Sequence, residues 1–316
     1  MKNLILSLLF SSLLLAVDTI TPTSTIEING TVKDMVLDKD RLVVATDNGH
    51  IEIFDSSSYK KIKDIKLPNV KDFMGDEIPA RVLSSDVIGN KYLLLSDSGK
   101  NGYTNLFIYD KSLTQIISPK DKEVVIKARF IDKDNILLGY LSNEVALLNL
   151  KSKKEIYRVQ LSESKFSDFA LNEDKSKVVF ACESGVLSIV DVKSGKLIRE
   201  LTSQNVDNVY RVDFKSNTIS GAGQDRRGSI YNAQNGKGSY ISGGFLIYST
   251  ALSPSAQKVA FSMDEKNNIS IFNTSSKSKI ALLKGQKSTL SVIIFQDEKR
   301  IFSSSDDSTI MVWNLK

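Results

Sequence analysis

The sequence predicts an all-β chain, a seven-bladed β-propeller of four-stranded antiparallel blades whose ring is closed by the N-terminal strand. Three observations carry this. An apolar or aromatic residue followed by Asp or Asn recurs at Phe54-Asp55, Tyr109-Asp110, Leu148-Asn149, Val190-Asp191, Tyr231-Asn232, Phe272-Asn273 and Trp313-Asn314. Successive pairs are 55, 39, 42, 41, 41 and 41 positions apart, and a period of roughly 40–45 residues is that of a four-stranded propeller blade. Each pair ends a short apolar run with a second run upstream, as Leu42-Val43-Val44-Ala45 precedes Ile51-Glu52-Ile53-Phe54. Finally, the seventh repeat stops at Lys316 after its third strand, while Thr25-Ile26-Glu27-Ile28 reads as a spare strand ahead of the first repeat. Pairing the two completes the last blade and removes two exposed sheet edges.

The last repeat is the clearest. In Asp307-Ser308-Thr309-Ile310-Met311-Val312-Trp313-Asn314, Ile310 and Val312 fall on one face and Met311 and Trp313 on the other, as in a pleated strand covered on both sides. The pattern resembles the signature that closes a repeat in the WD40 family, with Asn314 in place of the usual Asp. The family's Gly-His pair is mostly missing, and Gly285-Gln286 is the nearest form. The resemblance implies a rigid propeller serving as a binding platform. It also places Asp225 and Asp307, each seven positions before its repeat-closing Asn, where a turn aspartate accepts backbone N–H groups. These two residues and Trp313 are therefore read as structural.

Bulk composition narrows the function classes. The 316 residues include 42 Lys+Arg and 37 Asp+Glu, a formal charge of +5. The basic residues are mixed with acids throughout and never form a run of five like charges, so the clustered face that nucleic acid requires is not expected. Lys2 followed by the apolar stretch Leu4 to Leu15 is too short to span a membrane, which takes about 20 residues. It reads as a secretory signal peptide over residues 1–16, cleaved after Ala16, with an uncleaved anchor as the alternative. An extended leader (17–24) and the propeller (25–316) follow, and the mature chain is expected in the periplasm with no membrane span. Cys182 is the sole cysteine and His50 the sole histidine. Cys182 ends an apolar strand and reads as a small buried hydrophobe.

Two insertions account for the one long spacing. The connection from Pro68 to Pro79 is longer than its counterparts, and Asp97 to Asp110 spans 13 positions against 8 from Asp47 to Asp55. Long loops on a rigid scaffold are where binding residues gather. Phe73 and Met74 are apolar in a charged loop beside Asp76 and Glu77, either tucked back onto the first blade or presented to a partner. Tyr103 lies in the second insertion. In the fifth repeat, Arg226 and Arg227 follow the turn aspartate and read as forked donors for carboxylates or carbonyls of a partner, or as a solvated loop tip. The family arrangement puts these three segments on one face. Phe73, Met74, Asp76, Glu77, Tyr103, Arg226 and Arg227 are therefore the candidate partner-binding residues.

Catalytic signatures are absent from the sequence. One His and one Cys do not make a nitrogen–sulfur metal cluster, no phosphate-binding Gly-rich loop occurs, and Gly221-Ala222-Gly223 is followed by strand, not helix. A non-catalytic, cofactor-free protein is expected. The segments Lys71-Asp72-Phe73-Met74-Gly75-Asp76-Glu77-Ile78-Pro79 and Ala222-Gly223-Gln224-Asp225-Arg226-Arg227 resemble those of the NapL family, accessory proteins encoded with periplasmic nitrate reductase in epsilon-class proteobacteria. That resemblance implies protein contacts that mature, assemble or support electron transfer to nitrate-reductase subunits. The alternatives are a lactonase-like or other small-molecule or metal-dependent propeller enzyme, and a cell-envelope assembly scaffold.

Overall fold

The computed structural model describes residues 17–316; the signal segment read over residues 1–16 lies outside the described residues. Seven antiparallel sheets are built on residues 32–66, 82–117, 125–160, 166–201, 209–242, 250–283 and 290–314. The first strands of successive blades touch around a closed ring, in which Leu290–Phe295 of the seventh meets Val32–Asp38 of the first. They line a central channel. Within each of the first six blades the blade's own four strands run outward in sequence order.

Packing between blades explains the residue pattern. The middle strands are covered on both faces by neighbouring blades, so they read as continuous apolar runs: Leu42, Val43, Val44 and Ala45 are all buried. Strands of that kind favour β-branched residues, which fit a pleated surface. The outermost strands are half-solvated and mix lysines with alternating apolar residues. In Lys61–Lys66, Ile65 is buried and Ile62 is exposed. Charged edges of this type oppose edge-to-edge pairing.

Ring closure follows the expected route. Ser24–Glu27 forms the fourth strand of the seventh blade, antiparallel to Thr309–Asn314, with Ile26 opposite Ile310. The leader does more than run extended. Asp18–Ile20 adds a fifth, parallel strand to the sixth blade, Thr19 lying opposite Leu282. Ile20 is anchored there in the apolar cluster that also holds Leu283, Met311 and Trp313. One short segment therefore clasps two blades.

Trp313 is fully buried. Its indole Nε1 donates to Ser303 Oγ (2.8 Å), which donates to Gln286 Oε1 (2.9 Å), while Gln286 Nε2 donates to Ser305 Oγ (2.8 Å). Gln286 thus fills the polar slot below the Trp, and no buried indole N–H is left unpaired. Ile310 and Val312 pack toward the first blade and Met311 and Trp313 toward the sixth. Cys182 is buried, its Sγ 3.1 Å from Ser184 Oγ, and His50 Nδ1 lies 2.9 Å from Asp64 Oδ1.

Candidate functional site

Because strands alternate in direction, the connections between blades and the turns between second and third strands emerge at one end of the ring. Loop 68–79, turn 97–104 and the fifth-blade turn are all of these types, so they share that end. The first two touch. Gly99, at φ +66°, sits so close beneath the loop that a Cβ there would lie 2.1 Å from Lys71 O. Only glycine fits such an approach.

Loop 68–79 is a small hairpin in which Val70–Lys71 pairs with Glu77–Ile78. The Asp72 carboxylate accepts from Met74 N (2.8 Å) and Asp76 N (3.0 Å), fixing the turn from within. Val70 packs against the core between the first two blades. The base is thereby anchored while the tip stands free. Phe73 is 93% exposed and Met74 72%; they do not tuck back onto the first blade. Burying such a side chain is worth about 1.5–3 kcal/mol, so the Asp72-centred turn holds out of contact two groups that would gain by burial. Asp76 and Glu77 are exposed beside them. Tyr103 is half-buried, and its carbonyl accepts from Ser98 N (3.1 Å) and Ser98 Oγ (2.7 Å), which shapes the adjacent turn.

The fifth-blade turn behaves differently. Asp225 accepts from Val206 N (2.9 Å), Arg227 N (3.1 Å) and Asn205 Nδ2 (3.1 Å), the turn role expected of it. Asp307 accepts from Thr309 N (3.0 Å), while its other oxygen is buried without a partner. Arg226 is exposed at φ +62°. Arg227 corrects the expectation of two free donors. It opens the strand Arg227–Asn232, so its side chain turns back onto the blade. Nη1 donates to Gln204 O (3.1 Å), Nε lies 3.9 Å from Asp225 Oδ2, and the guanidinium sits 4.5 Å from the centre of the Tyr240 ring. Of the two arginines, only Arg226 is offered to solvent.

Sequence reasoning missed the charged channel. Asp34, Asp86, Asp168 and Asp213 lie on first strands and line a central cavity of about 450 Å³. Each reaches the next blade. Asp34 accepts from Ser85 N (3.0 Å), Asp86 from Phe130 N (2.7 Å), Asp168 from Val212 N (3.0 Å) and Asp213 from Leu252 N (2.8 Å). Arg129 pairs with Asp34 (2.9 Å) and Lys127 with Asp168 (2.6 Å), and Arg211 Nη2 reaches Lys33 O (3.1 Å). Burial works against ionisation of Asp168, but Lys127 and Arg211 outweigh it and hold its carboxyl below the usual range. Burial pushes Asp86 up, against the pull of Arg129 and Lys175. The legible signal was a charged residue at matched register in an apolar strand. A bulge near the start of the first strand is followed directly by Asp34, Lys127, Asp168 and Arg211 in four blades.

Among the described residues, no helix is long and apolar enough to cross a membrane, and no group of three or more His, Cys, Asp or Glu is placed to hold a metal ion. Fold and surface together define a class: a rigid seven-bladed propeller consistent with a platform for protein partners. No family model matches the chain. It is 25% identical over 201 residues to the Shk1 kinase-binding protein 15 of Schizosaccharomyces pombe, an overlap of 62% of this chain and 53% of that protein. The chain thus spans about half the length of the curated relative it matches.

Proposed function

We propose that the protein is a non-catalytic interaction platform that docks a protein partner through the hairpin tip at Phe73 and Met74. The carrying observation is the exposure of two large apolar side chains on a turn braced by Asp72 and seated on Gly99. Aromatic side chains held rigidly in solvent bury area at low entropic cost when a partner arrives. The similarity to a protein named for binding a kinase agrees with a role in protein contacts. The signal-like N-terminus supports export to the periplasm. The two loop motifs support a partner within the periplasmic nitrate-reductase system, with the propeller as accessory or assembly factor.

The test is affinity capture of the native exported protein from its own periplasm, with a Phe73→Asp, Met74→Asp variant alongside. Recovery of nitrate-reductase subunits by the native protein, and their loss with the variant, is the expected result. Recovery of envelope-assembly proteins would reassign the partner. Equal recovery by both proteins would remove the hairpin from the interface.

A further inference from the structure

The central cavity holds charges that the ring does not need to pair. The Arg129–Asp34 and Lys127–Asp168 contacts and the reach of Arg211 to Lys33 O tie the channel lining together from blade to blade. The cavity is also lined by Lys175, in the turn after Phe166–Leu171, and Lys215, the last residue of Val209–Lys215.

Two opposite-charge couples face this space without touching. Asp213 and Lys215 are two apart on one strand, so their side chains share a face about 7 Å apart along it. Asp86 and Lys175 meet the same residue, the carboxylate accepting from Phe130 N (2.7 Å) and the ammonium donating to Phe130 O (2.6 Å). Among the described residues, none of the four makes an ion pair within 4.0 Å. Each carboxylate is held by a backbone N–H of the next blade, Phe130 N on Asp86 and Leu252 N on Asp213. Lys175 Nζ donates to Phe130 O (2.6 Å), leaving further N–H groups free. Val36 and Ile294 add apolar surface to the same cavity.

We propose that this cavity binds a small zwitterion with an apolar body, of the α-amino-acid type. Its ammonium lies on Asp213, its carboxylate on Lys215, and its side chain against Val36 and Ile294. Acid and base held apart at fixed positions are complementary to a ligand that carries both charges, and a lone cation or anion would leave one member of each couple unanswered. A volume of about 450 Å³ falls in the range of small-molecule sites, roughly 300–1,000 Å³. This site is at the opposite end from the hairpin and stands independently of the proposed docking role.

Calorimetric titration of the purified full chain with each of the twenty proteinogenic amino acids tests it. Apolar members are expected to bind. For the best of them, the carboxamide and the decarboxylated amine should bind at least about tenfold more weakly. Lys215→Met and Asp213→Asn should each weaken binding to a similar degree; melting temperature should hold in the first and fall modestly in the second, where one oxygen remains for Leu252 N but the acceptor for Phe214 N is lost. Phe73→Asp should leave binding intact. Absence of binding by all twenty at about 10 mM would overturn the proposal. So would equal binding of the amide and amine, or undiminished binding in both cavity variants.

Discussion

The first-to-second-blade hairpin and the fifth-blade turn begin from the same kind of sequence, a turn aspartate followed by two residues suited to a partner, yet they present those residues in opposite ways. In the hairpin, Asp72 precedes Phe73 and Met74 and both lie within the turn, where nothing packs over them. In the fifth blade, Asp225 precedes Arg226 and Arg227, but the strand begins at Arg227. Arg226 takes the turn and faces solvent, whereas Arg227 takes the pleat and covers Tyr240. Where the strand starts, rather than residue type, decides which side chain is available. The extra length of loop 68–79 is what frees a second residue.

This contrast can be broken or sharpened by substitution. The largest effect should come at the hairpin. Phe73→Ala with Met74→Ala is expected to reduce partner affinity by about 2 kcal/mol or more, roughly 30-fold, measured by titration against the captured partner, with no loss of melting temperature. Next is Asp225→Ala, which strands Val206 N and Arg227 N. It should lower stability by about 1–3 kcal/mol in denaturant melts while hairpin-mediated binding persists. Arg227→Met removes one hydrogen bond and the contact over Tyr240, and should cost about 1 kcal/mol, read in the same melts. Smallest is Arg226→Glu, where stability should change by less than about 0.5 kcal/mol. Capture efficiency in that variant reports whether the fifth blade joins the interface. If Arg226→Glu destabilised as much as Arg227→Met, the distinction between turn and pleat would fail.

Much of the architecture could be read directly because propeller geometry repeats. The spacing of 41 between closing residues, the doubly apolar middle strands and the unpaired strand at Ile26 each follow from one rule of packing. Gly285-Gln286 could be picked out as the nearest form of a Gly-His pair, but the contact of Gln286 with Ser303 beneath Trp313 came from the structure. The channel carboxylates were harder to see. Asp34 sits between Val32 and Met35, and in one strand such an acid resembles an ordinary exposed position. Only alignment of all first strands on their bulges shows that acids and bases recur at two depths and face one another across the ring. The role of Arg227 was hidden for a related reason: its partner Gln204 lies in the connection from the fourth blade and Tyr240 on the neighbouring strand Gly238–Ser242, both distant in sequence. Phe73 and Met74 could be nominated from composition, but whether they folded back depended on hydrogen bonds to Asp72 that composition does not reveal.

The clasp at residues 18–27 also sets a timetable. Ile26 is opposite Ile310, so a strand made early waits for one made much later. The intervening 284 positions, from 26 to 310, take roughly 15–60 s to translate at about 5–20 residues per second. Six blades can form while the seventh has neither its partner strand nor a closed ring. The nascent propeller is an arc with two free ends, and it becomes a ring only when the strand around Ile310 meets the one around Ile26.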